Sequence, residues 1–203
     1  MAQYRPGGLN ITPVVKNLII INIIVFVAQQ FFASTGRQLE EYGALWQTYT
    51  GNFKVWQLVT YMFMHADIFH ILFNMYGLYI FGTELEGLWG SKRFLEFYMI
   101  CGIAAGVAQL LIPRGAVAIG ASGAVMGVLA GFGYLFPNRP LGLLFIPIPI
   151  AAKYLISGLV LMDLFSGVSG SHDGIAHFAH LGGALTGLII VVIWNRNNRR
   201  NFY

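Results

Sequence analysis

The sequence predicts an all-α polytopic membrane protein built as a bundle of six transmembrane helices. Three observations carry that prediction. The 203 residues are 57% hydrophobic and only 10% charged, whereas a soluble domain carries roughly 25% charged residues. So little charge cannot coat a globule in water, and lipid must solvate much of the surface. The charges that exist sit at the ends of apolar runs, and six such runs can be read along the chain. The length suits one compact bundle and leaves no room for a second domain. Residues 1–16 are expected as a cytoplasmic N-terminal segment, 17–195 as the membrane domain and 196–203 as a cytoplasmic basic tail.

Asn17 to Gly36 carries no charge over 20 residues, enough for the first span. This run starts late and is long enough to cross, so no cleavable signal peptide is expected. Arg37 to Gln57 is mixed and holds Tyr42, Trp46, Tyr49, Phe53 and Trp56. Tyr and Trp favour the headgroup level, which makes this an interfacial loop with short helices. The second span runs from about Asp67 to Gly82 and ends at Glu84 and Glu86. Phe97 to Ile112 is the third, broken by Pro113-Arg114-Gly115. Ser122 to Phe136 is the fourth and stops at Pro137. Arg139 to Ile150 contains Pro140, Pro147 and Pro149 and cannot be one regular helix. The fifth span, about Ala151 to Phe165, has Lys153 near its start and Asp163 near its end. Residues 166–174 are rich in Gly and Ser. The sixth span, about Ile175 to Trp194, is followed by Arg196, Arg199 and Arg200.

Six spans put both termini on one side. With the N-terminus in the cytoplasm, Arg5, Lys16, Lys92, Arg93, Arg139, Lys153, Arg196, Arg199 and Arg200 fall inside, and Arg37, Lys54 and Arg114 outside. Positive charge collects on cytoplasmic loops, so both termini are expected there. The formal net charge of +4 is thus a topology signal, and no nucleic-acid partner is expected. Cys101 is the only cysteine, which excludes an internal disulfide and a cysteine metal cluster.

Polar groups inside spans are costly and need separate explanations. Ser122 lies 15 residues before Pro137, His180 16 before Arg196 and His70 14 before Glu84. At about 1.5 Å per residue, all three stand roughly 21–24 Å above the inner boundary. In a hydrocarbon core of about 30 Å, that is one level some 6–9 Å below the outer surface. Asn74 is one turn after His70 on the same face. Gly183 and Gly187 share the face of His180, and Gly123, Gly127 and Gly131 form a ridge below Ser122. Small residues at that spacing let backbones approach closely, as a Ser–His hydrogen bond requires.

A serine hydroxyl is a poor nucleophile until a neighbouring base takes its proton. His180 is placed to be that base, kept neutral by apolar surroundings. The Ser122 N–H at a helix N-terminus, His70 and the Asn74 amide are candidate donors for an oxyanion. Taken singly, each has a plainer reading. Ser122 can cap a helix, and His180, His70 and Asn74 can tie helices together. The conjunction at one depth favours catalysis. His65, His70, His172, His177 and His180 are potential metal ligands. No HExxH occurs and no Glu is placed as a metalloprotease base, so neither a metal nor another cofactor is expected. Asp163 is read as solvated or capping at the outer end of its span, and His65 and His177 as structural, with His177 also able to assist near the site. With no third acid evident for His180, the expectation is a dyad. The Gly120-Ala121-Ser122-Gly123 stretch is not the G-x-S-x-G elbow of soluble hydrolases. A transporter needs a polar path to both sides, and the cytoplasmic halves of these spans are nearly all apolar.

At these residues the chain resembles the rhomboid family of intramembrane serine proteases. The likeness covers about residues 52–195. It includes Gly120-Ala121-Ser122-Gly123, Ala179-His180-Leu181-Gly182-Gly183-Ala184-Leu185-Thr186-Gly187, His65, and His70-Ile71-Leu72-Phe73-Asn74. The resemblance implies a six-helix bundle with a water-filled cavity open to the outer side. It implies Ser122 as nucleophile, His180 as general base, and His70 and Asn74 as oxyanion donors. Its implied partners are the lipid bilayer and single-pass transmembrane protein substrates, cut near their outer membrane boundary, with short helix-breaking stretches favoured. Two places depart from the family pattern. The family often has Trp-Arg where this chain has Trp56-Gln57, and an aromatic where this chain has Met126. Size and the lack of targeting extensions suggest a bacterial inner membrane. The short fifth span, flanked by Pro147, Pro149 and Gly167, is expected to be the mobile wall that admits substrate.

Overall fold

The computed structural model describes residues 11–31, 39–112, 117–143, 146–169 and 176–200. The expectations that fall on residues 1–10, 32–38 (Arg37 among them), 113–116, 144–145, 170–175 (His172 among them) and 201–203 lie outside them. The chain is mostly helical, a multi-pass membrane bundle. Helices α1 (Pro13–Phe31), α6 (Ser91–Leu110), α8 (Ala152–Ser169) and α9 (His177–Arg200) contain windows long and apolar enough to cross a membrane. Two further spans have special shapes. One is α4 (Ile68–Gly77), continued by a π-helical turn (Leu78–Gly82) into α5 (Thr83–Trp89). The other is α7 (Ser122–Leu135), of 14 residues. At 1.5 Å per residue α7 is only about 21 Å long, too short to cross a hydrocarbon core of about 30 Å from face to face. Short helices α2 (39–43) and α3 (Gln57–Thr60), with single 3₁₀ turns at Thr48–Thr50 and Tyr61–Phe63, make the loop between α1 and α4.

The second span ends differently from the sequence expectation. It runs past Glu84 and Glu86 to Trp89 rather than stopping before them. Glu86 is buried because its carboxylate has work to do. It accepts from the backbone N–H groups of Val14 and Val15 (3.0 and 2.9 Å) and from the Ser91 hydroxyl (2.6 Å). The first two are orphan donors at the start of α1, so Glu86 caps one helix from another. That cap also lets α1 begin at Pro13, ahead of the expected Asn17, with proline at a first-turn position it tolerates. The proline-rich stretch after α7 is an antiparallel hairpin, β1 (Pro140–Leu143) with β2 (Ile146–Ala151), in the register Pro140↔Ala151, Leu141↔Ile150 and Leu143↔Ile146. It is the one departure from all-helical structure among the described elements.

The core is built on α6, α7 and α9. A Cβ on Gly183 would collide with the Gly123 carbonyl, and one on Gly187 with the Gly127 carbonyl. The glycine ridges of α7 and α9 therefore touch backbone to backbone, which brings the ends that carry Ser122 and His180 within side-chain reach. Phe94, Phe97, Tyr98 and Phe132 fill the space beneath them and are almost fully buried. At the opposite end Arg139 pairs with Glu84 (3.1 Å) and the Arg93 guanidinium lies 4.0 Å over the Trp194 ring.

Candidate active site

Ser122 is the first residue of α7, and the segment leading to it is pinned from two sides. Leu45 and Ala118 exchange N–H···O bonds of 2.9 and 3.1 Å, and the Gly120 N–H donates to the Tyr61 carbonyl at 2.8 Å. Tyr61 is held in turn by donating its hydroxyl to the Gly102 carbonyl on α6 (2.6 Å). Gly120 has φ +124°, a conformation that side chains resist, and the ring of His70 lies against it. A Cβ there would sit 2.6 Å from His70 Nε2.

The Ser122 Oγ lies 2.7 Å from His180 Nε2. Ser122 thus uses its hydroxyl on another helix and not as an N-cap. His180 stands in the first turn of α9. On its far side Nδ1 lies 3.1 and 3.2 Å from the two carboxylate oxygens of Asp163 on α8. A carboxylate only accepts, so Nδ1 carries the proton, and Nε2 is left to accept from the Ser122 O–H.

Asp163 is where the sequence reading needs correcting. It was expected to be solvated or capping, with no third acid for His180. The structure places its side chain at 12% exposure, between His180 and His177. His177 Nδ1 lies 2.7 Å from Asp163 Oδ1. The signal was present in the chain: His177 and His180 are three apart and share a helix face. What was missing was the rotation of α8 about its own axis.

His70 and Asn74 reach the same space from α4. Asp67 caps this helix, accepting from the His70 N–H at 2.9 Å. The Ala66 N–H donates to His70 Nδ1 at 3.4 Å, which leaves Nε2 as the protonated nitrogen, on the side facing Gly120. The Asn74 amide donates one hydrogen to the His70 carbonyl at 3.0 Å and keeps a second. His70, Asn74, Ser122, Met126 and His180 all line one cavity of about 640 Å³. His65 lies outside that lining. It is fully buried, its ring packed edge-on to that of His70 at 5.0 Å.

Asp163, His177 and His180 each offer a ligand atom within 4.8 Å of the others, so together they could hold a metal ion. The spacing argues for hydrogen bonds instead. The two histidine–carboxylate spacings, 2.7 Å for His177 and 3.1–3.2 Å for His180, are hydrogen-bond distances, shorter than the roughly 3.3 Å between ligands on a tetrahedral zinc.

Gln57, at one of the departures from the family pattern, is fully buried and anchors the first loop. Its Oε1 accepts from the N–H groups of Trp46 (3.3 Å) and Lys54 (3.1 Å), and its Nε2 donates to the carbonyls of Tyr42 (3.4 Å) and Asn52 (3.2 Å).

Comparison with known proteins gives the same family as the motifs. The family model described as Rhomboid domain matches residues 52–197. Among curated proteins, the chain is 32% identical over 184 residues to Rhomboid protein 1, mitochondrial, of Saccharomyces cerevisiae, covering 86% of this chain and 52% of that protein. It is 33% identical over 184 residues to Rhomboid-like protein 11, chloroplastic, of Arabidopsis thaliana, covering 86% and 62%. With Rhomboid-like protease 3 of Toxoplasma gondii it shares 28% over 182 residues, covering 88% and 66%. The chain therefore spans about half to two thirds of the length of these relatives. The relatives are eukaryotic, and two are named for organelles, so they do not bear out a bacterial inner membrane. With the motifs in order on separate spans and the family model matching most of its length, this chain belongs to the rhomboid family.

Proposed function

We propose that the protein is an intramembrane serine endopeptidase that cleaves single-pass transmembrane proteins near their outer membrane boundary. The observation that carries this reading is the 2.7 Å contact between Ser122 Oγ and His180 Nε2, inside a cavity that His70 and Asn74 also line. Ser122 Oγ attacks the scissile carbonyl carbon while its proton passes to His180 Nε2. The carbonyl oxygen, now negative, is met by the His70 Nε2–H, the free hydrogen of the Asn74 amide and the Ser122 N–H. That N–H has no helical carbonyl four residues back and lies at the positive end of the α7 dipole. Collapse of the tetrahedral intermediate breaks the C–N bond, and His180 gives its proton to the leaving amine. Water then attacks the acyl-enzyme with the same base, releasing the carboxylic acid and restoring the serine.

Substrate enters beside α8. Only Ala152 and Ile156 of this helix are buried, so little apolar packing opposes its displacement, and a substrate helix with a broken stretch can present its backbone to Ser122. Both termini are assigned to the cytoplasmic side. No metal or other cofactor takes part. The test uses protein reconstituted in liposomes with a fluorescent transmembrane peptide. The wild type cuts the peptide and Ser122→Ala does not; turnover retained in Ser122→Ala would defeat the proposal.

A further inference from the structure

We propose that Asp163 is a positioning residue for His180, turning the expected pair into a Ser122–His180–Asp163 triad in which the carboxylate comes from α8. The proposal rests on the protease reading above and adds a residue to it. Asp163 Oδ1 and Oδ2 both lie within hydrogen-bond distance of His180 Nδ1 (3.1 and 3.2 Å), on the side of the ring opposite the 2.7 Å contact with Ser122. The serine, the imidazole and the carboxylate come from α7, α9 and α8 in turn.

Three consequences follow for the base. First, a neutral imidazole has two tautomers, and only the one protonated at Nδ1 leaves Nε2 able to accept from serine. A carboxylate at Nδ1 selects that form. Second, the ring is held from both edges, so its rotation about the Cβ–Cγ bond is restrained in an otherwise open cavity. Third, once Nε2 has taken the serine proton, the imidazolium faces an anion in a poorly screened site. The carboxylate is itself held in place. The His177 Nδ1–H donates to Oδ1 at 2.7 Å, and the side chains of His177, Asp163 and His180 are 8%, 12% and 17% exposed. The proton balance is simple: Asp163 stays ionised throughout, and the transferred proton shuttles only between Ser122 Oγ, His180 Nε2 and the leaving group.

Replacing the aspartate of a soluble serine-protease triad with asparagine lowers kcat about 10⁴-fold by favouring the wrong tautomer. Here the carboxylate is shared with His177 and the contacts exceed 3 Å, so the expected fall is smaller, about 10- to 10³-fold.

Asp163→Asn, Asp163→Glu and wild type are compared in liposomes with the transmembrane peptide. Labelling of Ser122 by a fluorophosphonate and the thermal unfolding midpoint are measured alongside, and the His180 tautomer is read by ¹⁵N NMR of histidine-labelled protein. The proposal expects Asp163→Asn to lower kcat and the labelling rate in parallel, with KM within about twofold and the unfolding midpoint nearly unchanged. It expects the His180 ¹⁵N signals to move away from the Nδ1–H form, and Asp163→Glu to recover part of the rate. Wild-type kcat in Asp163→Asn would overturn it. So would a loss of activity matched by a collapse of the unfolding midpoint with the His180 tautomer unchanged, which marks a structural tie only. Loss of wild-type activity on chelation, restored by Zn²⁺, would also overturn it by making these three residues a metal site. The first two outcomes leave the protease reading standing, which falls on Ser122→Ala; the third would also take His180 away from Ser122 and so reach that reading as well.

Discussion

The imidazole of His70 packs directly on Gly120. A Cβ built on the glycine would stand 2.6 Å from Nε2 and 2.7 Å from Cε1 of that ring, and 3.6 Å from Ser122 Oγ. The glycine thus settles how near the proposed oxyanion donor comes to the nucleophile. Gly120→Ala meets two penalties, a backbone at φ +124° that side chains rarely adopt and a ring that must move. Backbone strain of this kind costs about 1–3 kcal/mol. We expect Gly120→Ala to lower the unfolding midpoint in detergent and to cut turnover by about 10²-fold or more, the scale of losing one oxyanion donor. A variant with wild-type turnover would show that the His70 ring has no part in the reaction.

Gln57 replaces the arginine often found at its position, and its single amide ties four backbone groups of the first loop. Gln57→Leu keeps the volume and removes all four bonds, leaving buried donors and acceptors that cost about 1–3 kcal/mol each when unpaired. The expected result is a marked drop in unfolding midpoint and faster proteolysis between Tyr42 and Lys54. Gln57→Arg is a sharper probe. If it is tolerated, a larger donor can serve the same carbonyls; if it unfolds the loop, the two backbone N–H groups that need the Gln57 oxygen decide the residue.

His65 gives a pH dependence with a definite sign. It lies in the connection just before α4, fully buried, and its backbone is clamped by Gln29, whose Oε1 accepts from the His65 N–H and whose Nε2 donates to the His65 carbonyl. Burial, aided by the neighbouring His70, lowers its pKa from 6.5 to about 4. The unfolded chain binds a proton at about pH 6.5 and the folded one resists until about pH 4, so stability is intact above 6.5 and declines as pH falls across that window, by up to about 3 kcal/mol at the low end. Thermal unfolding in detergent at pH 7.5 and pH 4.5 should show this fall, and His65→Gln should flatten part of it. An unchanged slope in that variant would assign the acid sensitivity to other groups.

Much of the architecture was legible because apolar runs and their charged ends report the membrane directly. Counting residues from those ends put Ser122, His180 and His70 at one depth, since helical rise is nearly constant. Two kinds of feature escaped the count. The second span continues past Glu84 and Glu86 because the N-terminal donors of α1 supply partners for the Glu86 carboxylate, a pairing between helices that residue order along the chain does not show. Asp163 was misread because depth says nothing of azimuth: an apolar helix with small amphipathic bias, such as α8, does not declare which face it turns inward. Likewise the prolines of 139–150 excluded a helix without specifying the antiparallel pair that β1 and β2 make, because the pairing depends on the register between the strands.

The carboxylate that faces His180 is carried by α8, while serine and imidazole ride on α7 and α9, which the glycine ridges weld together. Nucleophile and base are therefore carried by one packed pair, and their aligning anion belongs to the neighbouring helix proposed to admit substrate. An outward excursion of α8 would disarm the imidazole, and its return would re-arm it with the substrate already inside. Such an interlock would keep the hydroxyl quiet toward passing lipids and chains while the door stands ajar.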